Sequence, residues 1–245
     1  MNCLEVHSGL SALLVEKSDK YQGMWISSLT HATIHGLPDN ELMPLKERVE
    51  LVEEIKRITT KPIIVDVDTL GGLEHVAFYV KCFEKAGAYA IVIEDKKYPK
   101  QNSLLEFGQH KLEEVGIFCE KIRIAKKNAG KMLIIARLES LIAKHSMAEA
   151  LLRAKEFVGA GADMILIHSK QNIECTEVME FAEKFGNKVP LVAIPTTYRL
   201  PKENPFSITI NANHMLRASM KAMEKYVNGD DVELSSVNDI FNIIK

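Results

Sequence analysis

The sequence lacks several features that would assign it to a specialised class of protein. Its formal net charge is only −2 over 245 residues, so its composition gives no general attraction to nucleic acid or to an anionic membrane. Apolar runs such as Ala90–Ile93 are far too short to span a bilayer. The first residues also lack the basic-then-apolar layout of a secretory signal. We therefore expect a soluble cytoplasmic protein with no nucleic-acid or membrane partner.

Cysteines are few, and their spacing follows no metal-binding or disulfide pattern. The four are Cys3, Cys82, Cys119 and Cys175, which we expect to be free thiols in a reducing compartment. Hydrophobic residues make up 47% of the chain and charged residues 26%, as in ordinary globular proteins. A chain of this length can bury a large core without covalent staples.

Short apolar runs alternate with longer amphipathic segments, and no low-complexity stretch divides the chain, so we predict one domain over residues 1–245. Segments such as Leu45–Ile58, Ala148–Val158 and Val178–Phe185 carry helical spacing. The apolar runs predict eight buried parallel strands: Leu4–Val6, Met24–Ser27, Ile63–Val67, Ala90–Ile93, Leu133–Ala136, Met164–Ile167, Leu191–Ile194 and Ser207–Ile210.

This alternation favours an α/β fold closed into a (β/α)₈ TIM-type barrel. The alternative is an open doubly wound sheet. The sequence lacks the glycine-rich dinucleotide fingerprint that such a sheet often carries after its first strand.

Polar side chains follow these runs where the strands are predicted to end, which in such barrels is where catalytic groups lie. A lone aspartate there is more often a helix cap or a salt-bridge partner, but several strand ends here are polar. Asp66, Asp68 and Glu94 are hard oxygen ligands suited to Mg²⁺, and Mn²⁺ is also compatible. The groups suited to a phosphoryl or carboxylate group are Lys100, Arg137 and His168. Together they indicate metal-assisted chemistry on a small phosphorylated or polycarboxylic acid.

The loop after the fourth predicted strand, residues 94–103, is long and polar. Charged runs of this kind are usually solvated surface loops. A mobile loop that carries charged groups can also act as a lid, which closes over an anion and excludes water. The spacing alone does not decide between these interpretations.

The same loop carries a family resemblance. Glu94-Asp95-Lys96, five further residues and then Asn102-Ser103 resemble the signature of the phosphoenolpyruvate mutase branch of the isocitrate lyase superfamily. The resemblance extends over nearly the whole chain. It continues through residues 6–12, 66–69, 136–139 and 168–170 and ends in residues 213–219.

The resemblance implies a barrel enzyme that interconverts phosphoenolpyruvate and phosphonopyruvate with Mg²⁺ and no organic cofactor. It implies that Asp66 contacts the metal directly, with Asp68 and Glu94 acting through water. It also implies a homodimer or homotetramer in which the last helix, around Met215–Tyr226, is exchanged between subunits.

Substrate contacts are implied in the same way. The backbone amides of Ser27, Ser28 and Leu29 would hold the carboxylate. Lys100 would close with the loop, and Asp39 matches an aspartate near the transferring group. Asn102, Arg137 and His168 would hold the phosphoryl group, and Ser103 would also bind the substrate.

The sequence departs from the family pattern in two places, and these bear on the substrate. Ser28 stands where the family usually has glycine, and its side chain would crowd the carboxylate pocket. Leu70-Gly71-Gly72 stands where Gly-Tyr-Gly is usual.

Three other functions remain open. Phosphonopyruvate hydrolases usually have threonine at the position of Asn102, so this residue favours a mutase. Methylisocitrate-type lyases carry a catalytic cysteine in the loop, which residues 96–100 lack. A non-catalytic barrel subunit would be expected to have lost the metal ligands, and here they are present.

Overall fold

Eight parallel strands close into a barrel in simple chain order, β1 to β8, with β8 paired to β1. The computed structural model describes residues 1–106, 109–171 and 173–244. The strands are β1 Asn2–Glu5, β2 Gly23–Ile26, β3 Ile63–Asp66, β4 Ala90–Glu94, β5 Leu133–Leu138, β6 Met164–Ile167, β7 Leu191–Ala193 and β8 Ile208–Asn211. The predicted (β/α)₈ fold is confirmed, and each predicted strand overlaps an observed one.

Helices follow most strands and surround the barrel. They are α1 Gly9–Glu16, α2 Ser28–Ile34, α3 Leu45–Lys56, α4 Leu73–Ala86, α5 Val115–Asn128, α6 Met147–Gly159, α7 Thr176–Phe185, α8 His214–Val227 and α9 Val237–Ile243. Local sequence sets several ends. Ser146 caps α6 by accepting from the Glu149 amide, and Gly87 ends α4 at φ 98°, where a side chain would be strained.

The core has two layers because β-strand side chains alternate between the two faces of the sheet. Trp25, Ile64, Val92 and Ile135 face inwards and fill the barrel. A larger layer between the barrel and the helices contains residues such as Phe118, Phe157 and Phe181. The strands are therefore buried on both faces, which explains their continuous apolar sequence.

The four cysteines are unpaired, as the sequence predicts. Among the described residues, we find no helix with the length and apolar character needed to span a membrane.

Candidate active site

The carboxyl ends of the strands surround a small cavity of about 40 Å³. Ten of the residues predicted for the site line it: Ser27, Ser28, Leu29, Asp39, Asp66, Lys100, Asn102, Ser103, Arg137 and His168. Trp25, Ile194 and Ala212 supply apolar wall, and Thr196 and Asn213 add polar atoms. The other two predicted residues, Asp68 and Glu94, do not line the cavity but are buried beside it. A space of this size holds little more than water while the surrounding side chains keep these positions.

The long loop after β4 lies over this cavity. We name residues 96–106 the lid. Lys96, Lys100 and Ser103 are buried, whereas Lys97 and Tyr98 are exposed. At its base, Lys96 pairs with Leu112 in an antiparallel bridge. The lid is therefore only partly exposed to solvent, and the side chains of Lys96, Lys100 and Ser103 are buried against the barrel.

Lys100 places its ammonium group among three carboxylates. Its Nζ lies 2.7 Å from Asp39 Oδ2, 3.0 Å from Asp68 Oδ1 and 4.0 Å from Glu94 Oε1. Burial by itself would lower the pKa of Lys100, but Asp68, Glu94 and Asp39 outweigh it and raise the pKa well above its ordinary value. The lysine is therefore charged, and its positive charge lies where carboxylate oxygens converge.

Arg137 and His168 form the opposite wall, and Glu139 holds both of them. Arg137 Nε donates to Glu139 Oε1 over 2.5 Å, and His168 Nδ1 lies 2.7 Å from the same oxygen. Burial and the nearby Arg137 charge lower the pKa of His168 to about 4, although Glu139 opposes this shift. The imidazole is therefore neutral at pH 7. Because Nδ1 is engaged by Glu139 and Arg137, Nε2 is the ring atom left for a ligand.

The lid adds polar groups to this wall. Ser103 Oγ donates to Glu139 Oε2 over 2.6 Å, and Arg137 Nη2 lies 3.2 Å from the same hydroxyl. Asn102 Nδ2 donates to Asp39 Oδ2 over 2.6 Å. The site thus joins a cationic face, suited to an oxyanion, to a neighbouring acidic face.

The carboxylates of the acidic face differ in charge balance. Burial raises the pKa of Glu94 to about 8, although Lys100, Lys96 and Arg137 lower it. Burial also raises the pKa of Asp66, although Arg137 opposes the shift. For Asp68, the effects of Lys100 and Arg48 exceed that of burial, and its pKa is far below the usual range. Asp68 is therefore the carboxylate whose negative charge is best compensated by neighbouring cations, whereas burial disfavours the charged forms of Asp66 and Glu94.

The acidic face offers oxygen ligands of the kind that divalent cations prefer. Within the described ranges, no group of three or more histidine, cysteine, aspartate or glutamate side chains is arranged so that it could bind a metal ion without other ligands. Mg²⁺, however, is commonly held by one or two carboxylates and several waters. Both oxygens of the fully buried Glu94 carboxylate lack a hydrogen-bond partner, which is costly unless a cation or water completes them. The donor set therefore fits Mg²⁺ bound partly through water.

Ser28, the departure from the family pattern, contacts an aspartate and the lysine of the acidic face. Its hydroxyl lies 3.1 Å from Asp66 Oδ2 and 3.3 Å from Lys100 Nζ. Ser28 and Leu29 begin α2, where a helix leaves N–H groups without partners inside the helix. The side chain of Ser28 is therefore part of the polar network as well as a source of bulk.

Several residues of this network were missed by the sequence analysis. Arg48 on α3 donates from Nη1 to the Asp66 carbonyl oxygen over 2.8 Å and to Asp68 Oδ2 over 2.7 Å. The helical spacing could have indicated it, because Arg48 falls on the same helix face as the buried apolar residues Leu51, Val52 and Ile55. Glu41 also bonds to the lid, and its loop sequence gave no periodic signal.

Comparison with known proteins identifies the family. A family model described as phosphoenolpyruvate phosphomutase matches residues 2–229. The chain belongs to the phosphoenolpyruvate phosphomutase family. A phosphoenolpyruvate phosphomutase of Tetrahymena pyriformis is 34% identical over 230 residues, which cover 91% of this chain and 76% of the relative.

Two solved structures of this superfamily are similar along nearly the whole chain. A phosphoenolpyruvate phosphomutase from Streptomyces platensis subsp. rosaceus matches with a TM-score of 0.91 and 29% identity, over 99% of this chain and 90% of that one. A phosphonopyruvate hydrolase in complex with oxalate and Mg²⁺ matches with a TM-score of 0.87 and 30% identity, over 99% of this chain and 89% of that one. Family members of similar sequence thus carry out different reactions.

Proposed function

We propose that this protein is a Mg²⁺-dependent phosphoenolpyruvate mutase, which interconverts phosphoenolpyruvate and phosphonopyruvate in phosphonate biosynthesis. The observation that carries the proposal is the position of Asn102 on the closed lid. It bonds to Asp39 and lines the same cavity as Arg137 and His168. A threonine, the residue usual in the related hydrolases, would have only a shorter side chain with a single hydroxyl donor at this position.

The reaction requires a phosphoryl group to leave one atom of the pyruvate enolate and join another. Little covalent chemistry is needed from the protein, so positioning and charge stabilisation account for most of the catalysis. Arg137, His168 and Asn102 would hold the phosphoryl oxygens. The backbone N–H groups at Ser27, Ser28 and Leu29 would bind the substrate carboxylate. The lid would keep out water, which would otherwise convert the phosphoryl group to phosphate.

Mg²⁺ would be held by Asp66, with Asp68 and Glu94 acting through water. When bound, the ion would neutralise the negative charge of the enolate. The Lys100 ammonium contacts Asp68 and approaches Glu94, so its charge would oppose a cation bound beside these two carboxylates. A shift of the lid, which carries Lys100, would relieve that repulsion.

The decisive experiment is ³¹P NMR of the purified protein with phosphonopyruvate and Mg²⁺. The mutase is expected to give a phosphoenolpyruvate signal. Phosphate formed without phosphoenolpyruvate would instead indicate a hydrolase. This is the second candidate function, because a phosphonopyruvate hydrolase is among the similar solved structures. The control is Asp66→Asn, which should show neither product because the direct metal ligand is weakened.

We also propose that the chain forms a homodimer or homotetramer through α8. This helix buries only Leu216 among its residues and exposes Met220, Met223 and Tyr226. Apolar side chains on one exposed helix are suited to a partner surface. Light scattering after gel filtration should give two or four chains, and Met223→Asp should lower the mass. A monomeric wild type would contradict this proposal.

A further inference from the structure

Glu41 joins the lid to the loop that follows β3. Its Oε1 accepts hydrogen bonds from Thr69 N over 3.0 Å and from Thr69 Oγ1 over 2.6 Å. Its Oε2 accepts from the backbone N of Lys100 over 2.7 Å. One carboxylate from the loop before α3 thus bonds to two other loops. Thr69 directly follows Asp68, so this bond anchors the lid beside the acidic face.

The segment that carries Glu41 bonds to both the backbone amide and the side-chain ammonium of Lys100. Asp39 accepts from the ammonium group over 2.7 Å, while Glu41 accepts from the backbone amide. Asp39 also accepts from Asn102, two residues further along the lid. A shift of this segment would therefore move the ammonium group and the Asn102 amide together.

The backbone of Glu41 has a conformation that is costly for its residue type. Its φ is +64°, in the left-handed region that residues with a side chain seldom occupy. Such strain persists where surrounding contacts determine the conformation, and it is frequent at clamps and switches. The three hydrogen bonds to the carboxylate are contacts of that kind.

Apolar packing contributes little to holding the middle of the lid. Tyr98 is 61% exposed and Leu105 is 53% exposed. A cavity of about 330 Å³ lies beside Glu41, between Tyr98 and the residues around His75. Polar contacts must therefore hold this part of the lid closed. Lys96 and Ser103 fix its two sides through Glu139, and Glu41 fixes the backbone between them.

We propose that Glu41 is a positioning residue that holds the lid closed by fixing the Lys100 backbone to Thr69. It need not touch the substrate, and it acts through Lys100 and Asn102. Its effect on turnover rests on the proposed function, whereas its effect on the lid does not.

The test is hydrogen exchange, measured by mass spectrometry, on peptides within residues 96–106. Glu41→Gln keeps the size of the side chain but replaces one acceptor oxygen with an NH₂ group, so one of its partners loses its bond. We expect lid exchange to rise about 10- to 100-fold, as for the loss of one hydrogen bond to a charged group. Glu41→Asp, which keeps the charge but shortens the reach, should also raise it and serves as a second variant.

Glu84→Gln is the matched control. Glu84 also accepts three hydrogen bonds, from the amides of Gly130, Lys131 and Met132, but it lies away from the lid. This variant should leave lid exchange unchanged. Unchanged lid exchange in both Glu41 variants, or an equal rise in Glu84→Gln, would overturn the inference.

Turnover separates this inference from the proposed function. In an active mutase, Glu41→Gln should increase the ratio of phosphate to phosphoenolpyruvate, because a loosened lid admits water. A merely structural defect would lower both products together and would overturn the positioning role. If the wild type is inactive while the Glu41 variants still expose the lid, the inference stands and the proposed function fails.

Discussion

Replacing Lys100 by methionine would test the electrostatics of the site directly. Methionine has a similar length and no charge, so it removes the ammonium group among Asp39, Asp68 and Glu94 with little change in volume. The proposed function places Mg²⁺ against two of these three carboxylates. Lysine and metal therefore compete for them, and the substitution should have opposite effects on the metal-free and the metal-bound protein.

The magnitudes follow from burial and distance. Removing one partner of a buried ion pair costs about 3–5 kcal/mol, and this should appear as lower stability without metal. The ammonium charge would repel a dication bound beside the same carboxylates, and movement of the lid would relieve most of that repulsion. We therefore expect only about tenfold tighter Mg²⁺ binding, or about 1.4 kcal/mol.

Urea unfolding with and without Mg²⁺, together with calorimetric titration of Mg²⁺, would measure both effects. Lys97→Met is the control, because Lys97 lies on the same lid but is exposed. It should change neither quantity by more than about 0.5 kcal/mol. If Lys100→Met binds Mg²⁺ no more tightly than the wild type, the competition is absent and the reasoning is wrong.

Three further predictions concern other parts of the site. Ser28→Gly should bind oxalate several times more tightly in a calorimetric titration, because the hydroxyl beside Asp66 no longer crowds the carboxylate pocket; weaker binding would contradict this. Glu139→Gln should lower kcat about a hundredfold in the NMR assay, since Arg137 loses a charge-assisted hydrogen bond, and unchanged kcat would refute the role. Burial lowers the pKa of His31 to about 4 from 6.5. Stability is then lost as the pH falls from 6.5 towards 4, because the unfolded chain binds the proton more readily than the buried imidazole. His31→Asn should remove this loss in urea unfolding at pH 7.5 and 5, and His35→Asn should not.

The barrel was predictable because most strands, from β2 to β7, are largely apolar and buried on both faces. The predicted Met164–Ile167 coincides with β6, and most other predicted ends differ by one or two residues. The first strand shows why the ends are less certain. Pairing with β8 begins at Asn2, a polar residue whose backbone joins the sheet. Hydrophobicity reports burial, whereas hydrogen-bond register determines where a strand begins.

The site was predictable where its residues follow strands. Asp66, Arg137 and His168 lie together because parallel strands end at one edge of the barrel. Arg48 and Glu41 come from a helix and a loop, and their contacts depend on how distant segments fold over the strand ends. The family resemblance supplied Asp39 and Asn102, which the residue pattern alone would not have selected.

The closed lid and the acidic face constrain the order of events in catalysis. With the lid closed as described, the cavity is about 40 Å³, and the Lys100 charge lies against carboxylates proposed to serve the metal. In a Mg²⁺-dependent mutase of the kind proposed, substrate and metal would enter while the lid is open. Lys100 would then exchange its carboxylate partners for the bound anion as the lid closes, so the closed states with and without substrate would differ in the partner of one lysine. Lid closure would in this way respond to the charge of the bound substrate.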